Sequence, residues 1–226
     1  MSLLQPVEAL QSVADQAFER LLSAIIQGEI APGEFIKEAR VARLLNISRG
    51  PLREAIGRLD GYKLLVRTRN MGAQVIAFTK KDIDELFSLR ASLEGLSCAL
   101  AATSMTDAEL DNLQALVDRD AAATAADPSY RPADEDFHFQ ILRGSRNGRL
   151  INIVSRDIYY QLRVIRHRSG LSRDRSSAVA AEHQEILKAL RSRNPQWAEA
   201  AMRHHISNAR QAAANLADIG EPDSSN

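Results

Sequence analysis

Residues 28–61 constrain the fold of this chain more than any other segment, because they combine two short helix patterns with a tight turn. The apolar spacing over residues 37–45 predicts a short helix, and Asn46-Ile47 follows it as the turn. Ser48 is a suitable N-cap for the next helix. Pro51 is tolerated in its first turn, because the N–H that proline lacks would have no helical partner there. The segment therefore predicts a helix, a turn and a second helix.

A further helix and a small ribbon flank this pair. Apolar positions over residues 10–28 follow helical spacing, and Gly28 is a suitable end for that helix. Residues 64–67 and 73–78 are typical of short strands around a glycine-containing tip at 70–72. Helices and ribbon in this order predict a winged helix-turn-helix, a fold that binds double-stranded DNA.

The charge distribution supports a nucleic-acid partner, although the formal net charge of the whole chain is zero. Residues 40–70 carry eight basic and two acidic side chains, which leaves an excess of six positive charges in this segment. A local basic surface attracts phosphates whatever the rest of the chain carries.

The second helix of the pair is the candidate recognition helix, since the N-terminal residues of such a helix reach base edges. Arg49 and Arg53 lie one turn apart at its leading end, and Gly50 would permit a close approach of the backbone. The expected DNA contacts are Arg40, Ser48, Arg49, Gly50, Arg53, Arg69, Asn70 and Gly72. The alternative is that these arginines form the solvated face of an ordinary helical bundle.

From Thr79 onward, every segment has a helical pattern. Thr79 with Asp82, and Thr106 with Glu109, resemble capping boxes at two helix starts. We predict helices over residues 80–103, 107–125, 133–145, 148–168, 175–193 and 195–217. The chain is then expected to contain a winged helix-turn-helix domain over 1–78, an all-helical domain over 79–219 and a disordered tail over 220–226.

The sequence also argues against several classes of protein. No apolar run approaches the roughly 18 residues that a membrane span requires, and the first residues do not resemble a signal peptide. Cys98, the single cysteine, lies in an apolar helical stretch and is expected to be a reduced thiol in the core. We expect a cytoplasmic protein.

A candidate metal site follows position 130 and consists of Asp134, His138, His183 and His205. Asp134 and His138 are four residues apart, so both project from one face of one helix. A carboxylate and three imidazoles suit a divalent ion such as Zn²⁺, Ni²⁺ or Mn²⁺. Spacing alone leaves open that each histidine is a surface residue or a hydrogen-bonded core residue.

Three motifs carry a resemblance to a known family: IQGEIAPGE at residues 26–34, ISRGPLREAI at 47–56 and LRASLEG at 89–95. With them the chain resembles a GntR-family transcriptional regulator, in the FadR-like branch with a C-terminal FCD domain. The resemblance implies a mostly α protein, in which an N-terminal winged helix-turn-helix precedes an all-helical antiparallel bundle. The chain departs from the family pattern at Gly50, where the family usually carries a threonine that can touch phosphate.

The resemblance also implies roles for residues of the C-terminal half. FCD domains hold a metal with an Asp-x-x-x-His pair, a histidine in a Glu-His motif and a late histidine, and the four candidate ligands match these positions. Arg90 matches a position that faces the effector pocket and would pair there with an anionic ligand. The alternative partner of Arg90 is Glu94, one helical turn later.

Other side chains receive simpler expectations. Arg163 and Arg166 are further ligand candidates, which the sequence does not rank. His167 and His204 are expected at the surface, and Trp197 on the last helix is expected to be a packing residue.

The resemblance implies a ligand-responsive DNA-binding regulator, not an enzyme, that binds an inverted-repeat operator as a homodimer. Its effector would be a small organic acid bound beside the metal, and repression relieved by that ligand is the expected mode. Two alternatives remain open. One is a regulator that senses the metal ion itself, and the other is a metal-dependent hydrolase, for which the sequence lacks an evident general base.

Overall fold

The computed structural model describes residues 12–68, 71–126, 134–169 and 176–217. The chain divides into two compact units between Ala77 and Phe78. No helix in these described ranges is long and apolar enough to cross a membrane. The tail predicted over residues 220–226 lies outside the described part of the chain.

The described part of the N-terminal unit contains α1 (Val13–Gln27), α2 (Glu38–Leu44), α3 (Arg49–Gly61), β1 (Leu65–Thr68) and β2 (Gly72–Val75). Ser12 forms a capping box at the start of α1, and Gly28 ends that helix in the left-handed conformation, at φ 79°. The two strands are antiparallel and pair Leu65 with Val75. The strand predicted over 73–78 therefore ends at Val75, opposite the first residue of its partner.

The apolar faces of α1 and α3 form the core of this unit. Phe18, Ile25, Leu52 and Leu59 are almost completely buried, and burial of side chains of this size stabilises the fold by roughly 1.5–3 kcal/mol each. This packing buries one face of α3 and leaves the opposite face, which carries Arg53, exposed to solvent.

The described part of the C-terminal unit is helical. It contains α4 (Lys80–Ser104), α5 (Asp107–Ala126), α6 (Asp134–Gly144), α7 (Gly148–Ile153), α8 (Tyr159–Ser169), α9 (Ser176–Arg191) and α10 (Pro195–Ala217). The predicted fold class, a winged helix-turn-helix followed by a helical domain, is confirmed. The single helix predicted over 148–168 is wrong in one respect: a π-helical turn, Val154–Ile158, separates α7 from α8, because the backbone there adopts the wider i→i+5 pattern.

Helix α4 packs most extensively against α10. Gly95 permits this approach, since a Cβ at that position would lie 3.1 Å from the Arg203 side chain. Cys98 is fully buried, as predicted, and burial raises the pKa of its thiol well above the ordinary value. Trp197, expected to be a packing residue, is 39% exposed in the first turn of α10.

Candidate functional site

Three histidines from three helices meet in the C-terminal unit. His138 on α6, His183 on α9 and His205 on α10 each offer one ring nitrogen, and these atoms lie within 4.8 Å of one another. His205 is 2% exposed. The structure therefore brings together three of the four predicted ligands. The fourth, Asp134, begins α6 one turn before His138, but its side chain lies outside the described part of the chain.

A carboxylate lies behind two of these rings. Glu182 Oε2 is 2.7 Å from Nδ1 of His205, and Glu94 Oε2 is 2.6 Å from Nδ1 of His138. The contact between Glu94 and His138 falls outside hydrogen-bond alignment, so neither of these two atoms has a hydrogen bond. On their other edges, the Nε2 atoms of His138 and His205 are 3.2 Å apart. Both rings therefore direct Nε2 toward a common centre.

The contacts of this histidine pair require more hydrogen atoms than two neutral rings carry. A neutral imidazole has a single N–H. One hydrogen is needed between Glu182 and His205 and one between the two Nε2 atoms. At 2.6 Å, although out of line for a hydrogen bond, Nδ1 of His138 also needs a hydrogen, since its lone pair would otherwise face the Glu94 carboxylate. Two neutral rings supply two hydrogens, so in one of these three contacts two lone pairs face each other. A divalent cation at both Nε2 atoms removes this shortage, because each N–H then faces its carboxylate.

Burial and neighbouring charges set the protonation states of the site. Burial lowers the pKa of His138 to about 4, and this effect outweighs the Glu94 charge, which raises it. For Glu94, burial opposes ionisation, but the positive charge of Arg90 holds the pKa of this carboxyl well below its ordinary range. Near neutral pH, His138 is therefore neutral and Glu94 ionised, as a metal ligand and its orienting carboxylate need to be.

We expect the metal-free protein to lose stability as the pH falls from about 6.5 to about 4. In the unfolded chain His138 binds a proton near pH 6.5, whereas in the folded protein it does so only near pH 4. The unfolded state binds more protons between these values, so the free energy of unfolding decreases with acid, by roughly 3 kcal/mol. Urea unfolding in a chelator, at both ends of this range, measures the decrease. An equally large decrease in His138→Gln would contradict the assignment to His138.

A small cavity adjoins His138, one of the three histidines. Its volume is about 30 Å³, which is room for about two water molecules. Arg90 lines it and is 1% exposed. The guanidinium donates from Nε to Glu94 Oε1 at 2.5 Å, and its Nη2 lies 3.3 Å from His138 Nε2. The pairing with Glu94 that the sequence left open is therefore present, and Arg90 lines the cavity as well.

The predictions for four other side chains of this unit, Arg163, Arg166, His167 and His204, can be compared with the structure in part. Arg163 lines the cavity, whereas the side chains of Arg166 and His167 lie outside the described part of the chain. His204 is exposed, as predicted. Sequence reasoning missed the carboxylate behind His205, for which the sole signal is the position of Glu182 next to a candidate ligand.

The start of α3 is open to solvent. Ser48 is the N-cap, as predicted, but its hydroxyl makes no capping hydrogen bond. Arg49 and Arg53 are exposed, and Arg53 Nε donates to Glu38 Oε2 on α2 at 2.9 Å. Arg49 forms no ion pair with any described residue. A Cβ added at Gly50 would meet open space, so backbone and surroundings leave room for an approaching ligand.

Acidic side chains neutralise part of the basic segment. Arg58 pairs with Asp15 at 2.6 Å, and Arg67 pairs with Asp60 at 3.0 Å. Asp15 lies outside residues 40–70, so the count of charges within that segment overstates the positive charge of the surface. Arg40 is exposed on α2 and has no ion pair within the described ranges.

The ribbon tip is described on one side. Gly72 opens β2 at φ 96°, a left-handed conformation that favours glycine. Met71 beside it is 61% exposed. The predicted contacts Arg69 and Asn70 lie outside the described residues.

Comparison with known proteins agrees with this architecture. Residues 13–75 match the model of the bacterial regulatory proteins of the GntR family, and residues 85–208 match that of the FCD domain. The regulator YdhC of Bacillus subtilis is 27% identical over 84% of this chain and 84% of its own length. A D-xylose utilization operon repressor of Paenarthrobacter nicotinovorans is 27% identical over 86% of each chain.

A solved structure shows the same fold. A GntR regulator from Rhodococcus sp. RHA1 superposes with a TM-score of 0.70 at 23% identity, over 89% of this chain and 97% of that one. The matched relatives are transcriptional regulators, in agreement with the prediction that this protein is not an enzyme. The chain therefore belongs to the GntR family, in the branch that carries an FCD domain, and is a DNA-binding transcriptional regulator.

Proposed function

We propose that this regulator is a repressor that binds an inverted-repeat operator as a homodimer and releases it when a small organic acid binds beside a divalent metal. The observation that carries the proposal is the meeting of His138, His183 and His205 next to a cavity lined by Arg90. A matched relative that is named a repressor supports the direction of regulation.

The donor set suits a transition metal. Two imidazole nitrogens on a tetrahedral Zn²⁺ are about 3.3 Å apart, given Zn–N bonds of about 2.0–2.1 Å. The Nε2 atoms of His138 and His205 are 3.2 Å apart, and His183 supplies a third nitrogen. Asp134 would complete the set, which Zn²⁺, Ni²⁺ and Mn²⁺ all accept. The bound ion would supply a coordination position for a carboxylate.

An open metal position and Arg90 favour an anionic ligand at this site. Arg90 and Glu94 neutralise each other in the metal-free chain. A divalent ion adds two positive charges, which Asp134 and the Glu182 carboxylate behind His205 would offset, so the attraction for an anion would come from the ion's open coordination position and from Arg90. The forked guanidinium of Arg90 suits a carboxylate. The cavity, at about 30 Å³, admits little more than that group, so a larger acid would displace lining side chains.

The exposed start of α3 suits the DNA backbone and base edges. The helix N-terminus and the uncapped Ser48 hydroxyl would hold a phosphate. Arg49, which has no ion pair among the described residues, would reach a base or a second phosphate. Two such helices related by a two-fold axis would bind an inverted repeat.

A selection of operator DNA from a random library tests this part of the proposal. We expect the full-length protein to enrich an inverted repeat with half-sites about 10 base pairs apart or a multiple of that spacing. The logarithm of its affinity should fall linearly with the logarithm of salt concentration, because arginines displace counterions from phosphates. An asymmetric site, or an affinity that salt leaves unchanged, would contradict the proposal.

Titration with carboxylic acids tests the effector part. We expect one acid of a panel of mono-, di- and tricarboxylates to weaken operator binding by the metal-loaded protein, through preference for the DNA-free conformation. Operator affinity that depends on Zn²⁺, Ni²⁺ or Mn²⁺ but ignores every acid would favour the metal-sensing alternative. The hydrolase alternative is not retained, because the family consists of regulators.

A further inference from the structure

A polar chain continues from the histidines to the surface of the C-terminal unit. Glu182 accepts from Nδ1 of His205 through Oε2 and from the side-chain amide of Asn208 through Oε1, at 2.7 and 2.8 Å. The same Asn208 amide nitrogen lies 3.1 Å from Nε2 of the exposed His204. Because a carboxylate only accepts, this arrangement orients the Asn208 amide nitrogen toward Glu182.

We infer that Glu182 is a positioning residue that fixes the metal-binding tautomer of His205, with Asn208 holding Glu182 in place. This inference rests on the metal site of the proposed function. An ionised carboxylate at Nδ1 requires the hydrogen there and so leaves Nε2 as a lone pair, directed at the metal centre. His205 is 2% exposed, so no solvent competes with Glu182 for Nδ1.

Glu182 isolates this role better than Glu94 does. Glu94 serves both His138 and the buried Arg90, so its removal would leave an unpaired buried charge. Glu182 is partly exposed and accepts hydrogen bonds from His205 and Asn208.

The substitution Glu182→Gln turns this geometry into a conflict. The new amide has one oxygen and one NH₂ group, whereas both neighbouring donors need an oxygen. Because Asn208 keeps its NH₂ toward position 182 while it also contacts His204, the new NH₂ would face His205 Nδ1. That contact favours the tautomer with hydrogen on Nε2, which cannot bind a metal through that atom.

We expect Glu182→Gln to weaken Zn²⁺ binding about 10- to 100-fold, measured by chelator competition on the full chain. Addition of Asn208→Asp to the Glu182→Gln variant should restore most of the Zn²⁺ affinity. The carboxylate at position 208 would accept from the NH₂ group of the amide at position 182, which turns the oxygen of that amide back to His205. Glu185→Gln is the matched control, because Glu185 lies on α9, is exposed and pairs with Lys188 at 3.6 Å. Wild-type affinity in Glu182→Gln, or no recovery in the double variant, would overturn the inference.

A second readout separates this inference from the metal site itself. Nitrogen-15 NMR of the metal-free protein should show hydrogen on Nδ1 of His205 in the wild type and on Nε2 in Glu182→Gln. A wild-type protein that binds no metal but shows this change would contradict the proposed metal pocket and support the positioning role. The same tautomer in both proteins would overturn the positioning role.

Discussion

Replacement of both His183 and His205 by alanine should remove the metal from this regulator. We expect about one transition-metal ion per chain in the wild type, purified without an affinity tag, and none in the double variant. Two of the three converging nitrogens are lost in that variant. The remaining proposed ligands, Asp134 and His138, belong to one helix and would hold the ion at best weakly, because a chelate from three helices is reduced to one helix. Elemental analysis of both proteins measures the difference.

His204→Ala is the matched control for this experiment. His204 is adjacent to His205 on α10 but exposed, and it touches the polar chain only through Asn208, so its removal should still leave about one metal ion per chain. Circular dichroism and operator binding should confirm that the double variant remains folded. A wild type that takes up no metal even after addition of Zn²⁺, Ni²⁺ or Mn²⁺ would contradict the proposed site and leave the DNA-binding assignment intact.

Local chemistry explains which parts of the fold could be predicted. Thr79 and Asp82 form the predicted capping box at the start of α4, and Thr106 forms hydrogen bonds with Glu109 at the start of α5. Such signals lie within a few residues of the helix start that they stabilise. The π-helical turn between α7 and α8 could not be predicted, since helical periodicity continues through it.

The site was only partly predictable for a related reason. His138 lies four residues after Asp134 on α6, so the spacing alone predicts that one helix face carries both. The contact between Glu182 and His205 joins residues 23 positions apart, and that between Arg90 and His138 joins residues 48 apart. Such contacts depend on how helices pack, and no local pattern in this single sequence records them.

Arg49→Ala should weaken operator binding about 5- to 150-fold, which corresponds to about 1–3 kcal/mol for a bidentate base contact. Arg49 stands at the exposed start of α3 and has no ion pair in the part of the chain that the structure describes. The helix therefore loses a free guanidinium and gains no compensating contact. Fluorescence anisotropy with the selected operator and with a scrambled duplex measures the loss. A base contact lowers only the operator affinity, whereas a phosphate contact lowers both.

Arg53→Ala should weaken binding for two reasons that a double-variant cycle separates. The substitution removes a guanidinium that would contact DNA. It also leaves the Glu38 carboxylate, which lies 2.9 Å from Arg53 Nε in the wild type, as an unpaired negative charge near the DNA. We therefore expect Glu38→Gln to recover part of the affinity in the Arg53→Ala protein. Arg20→Ala is the control, because Arg20 is exposed on α1 of the same unit and outside the proposed contact set. If Arg49→Ala and Arg53→Ala bind the operator as tightly as Arg20→Ala, α3 is not the recognition helix.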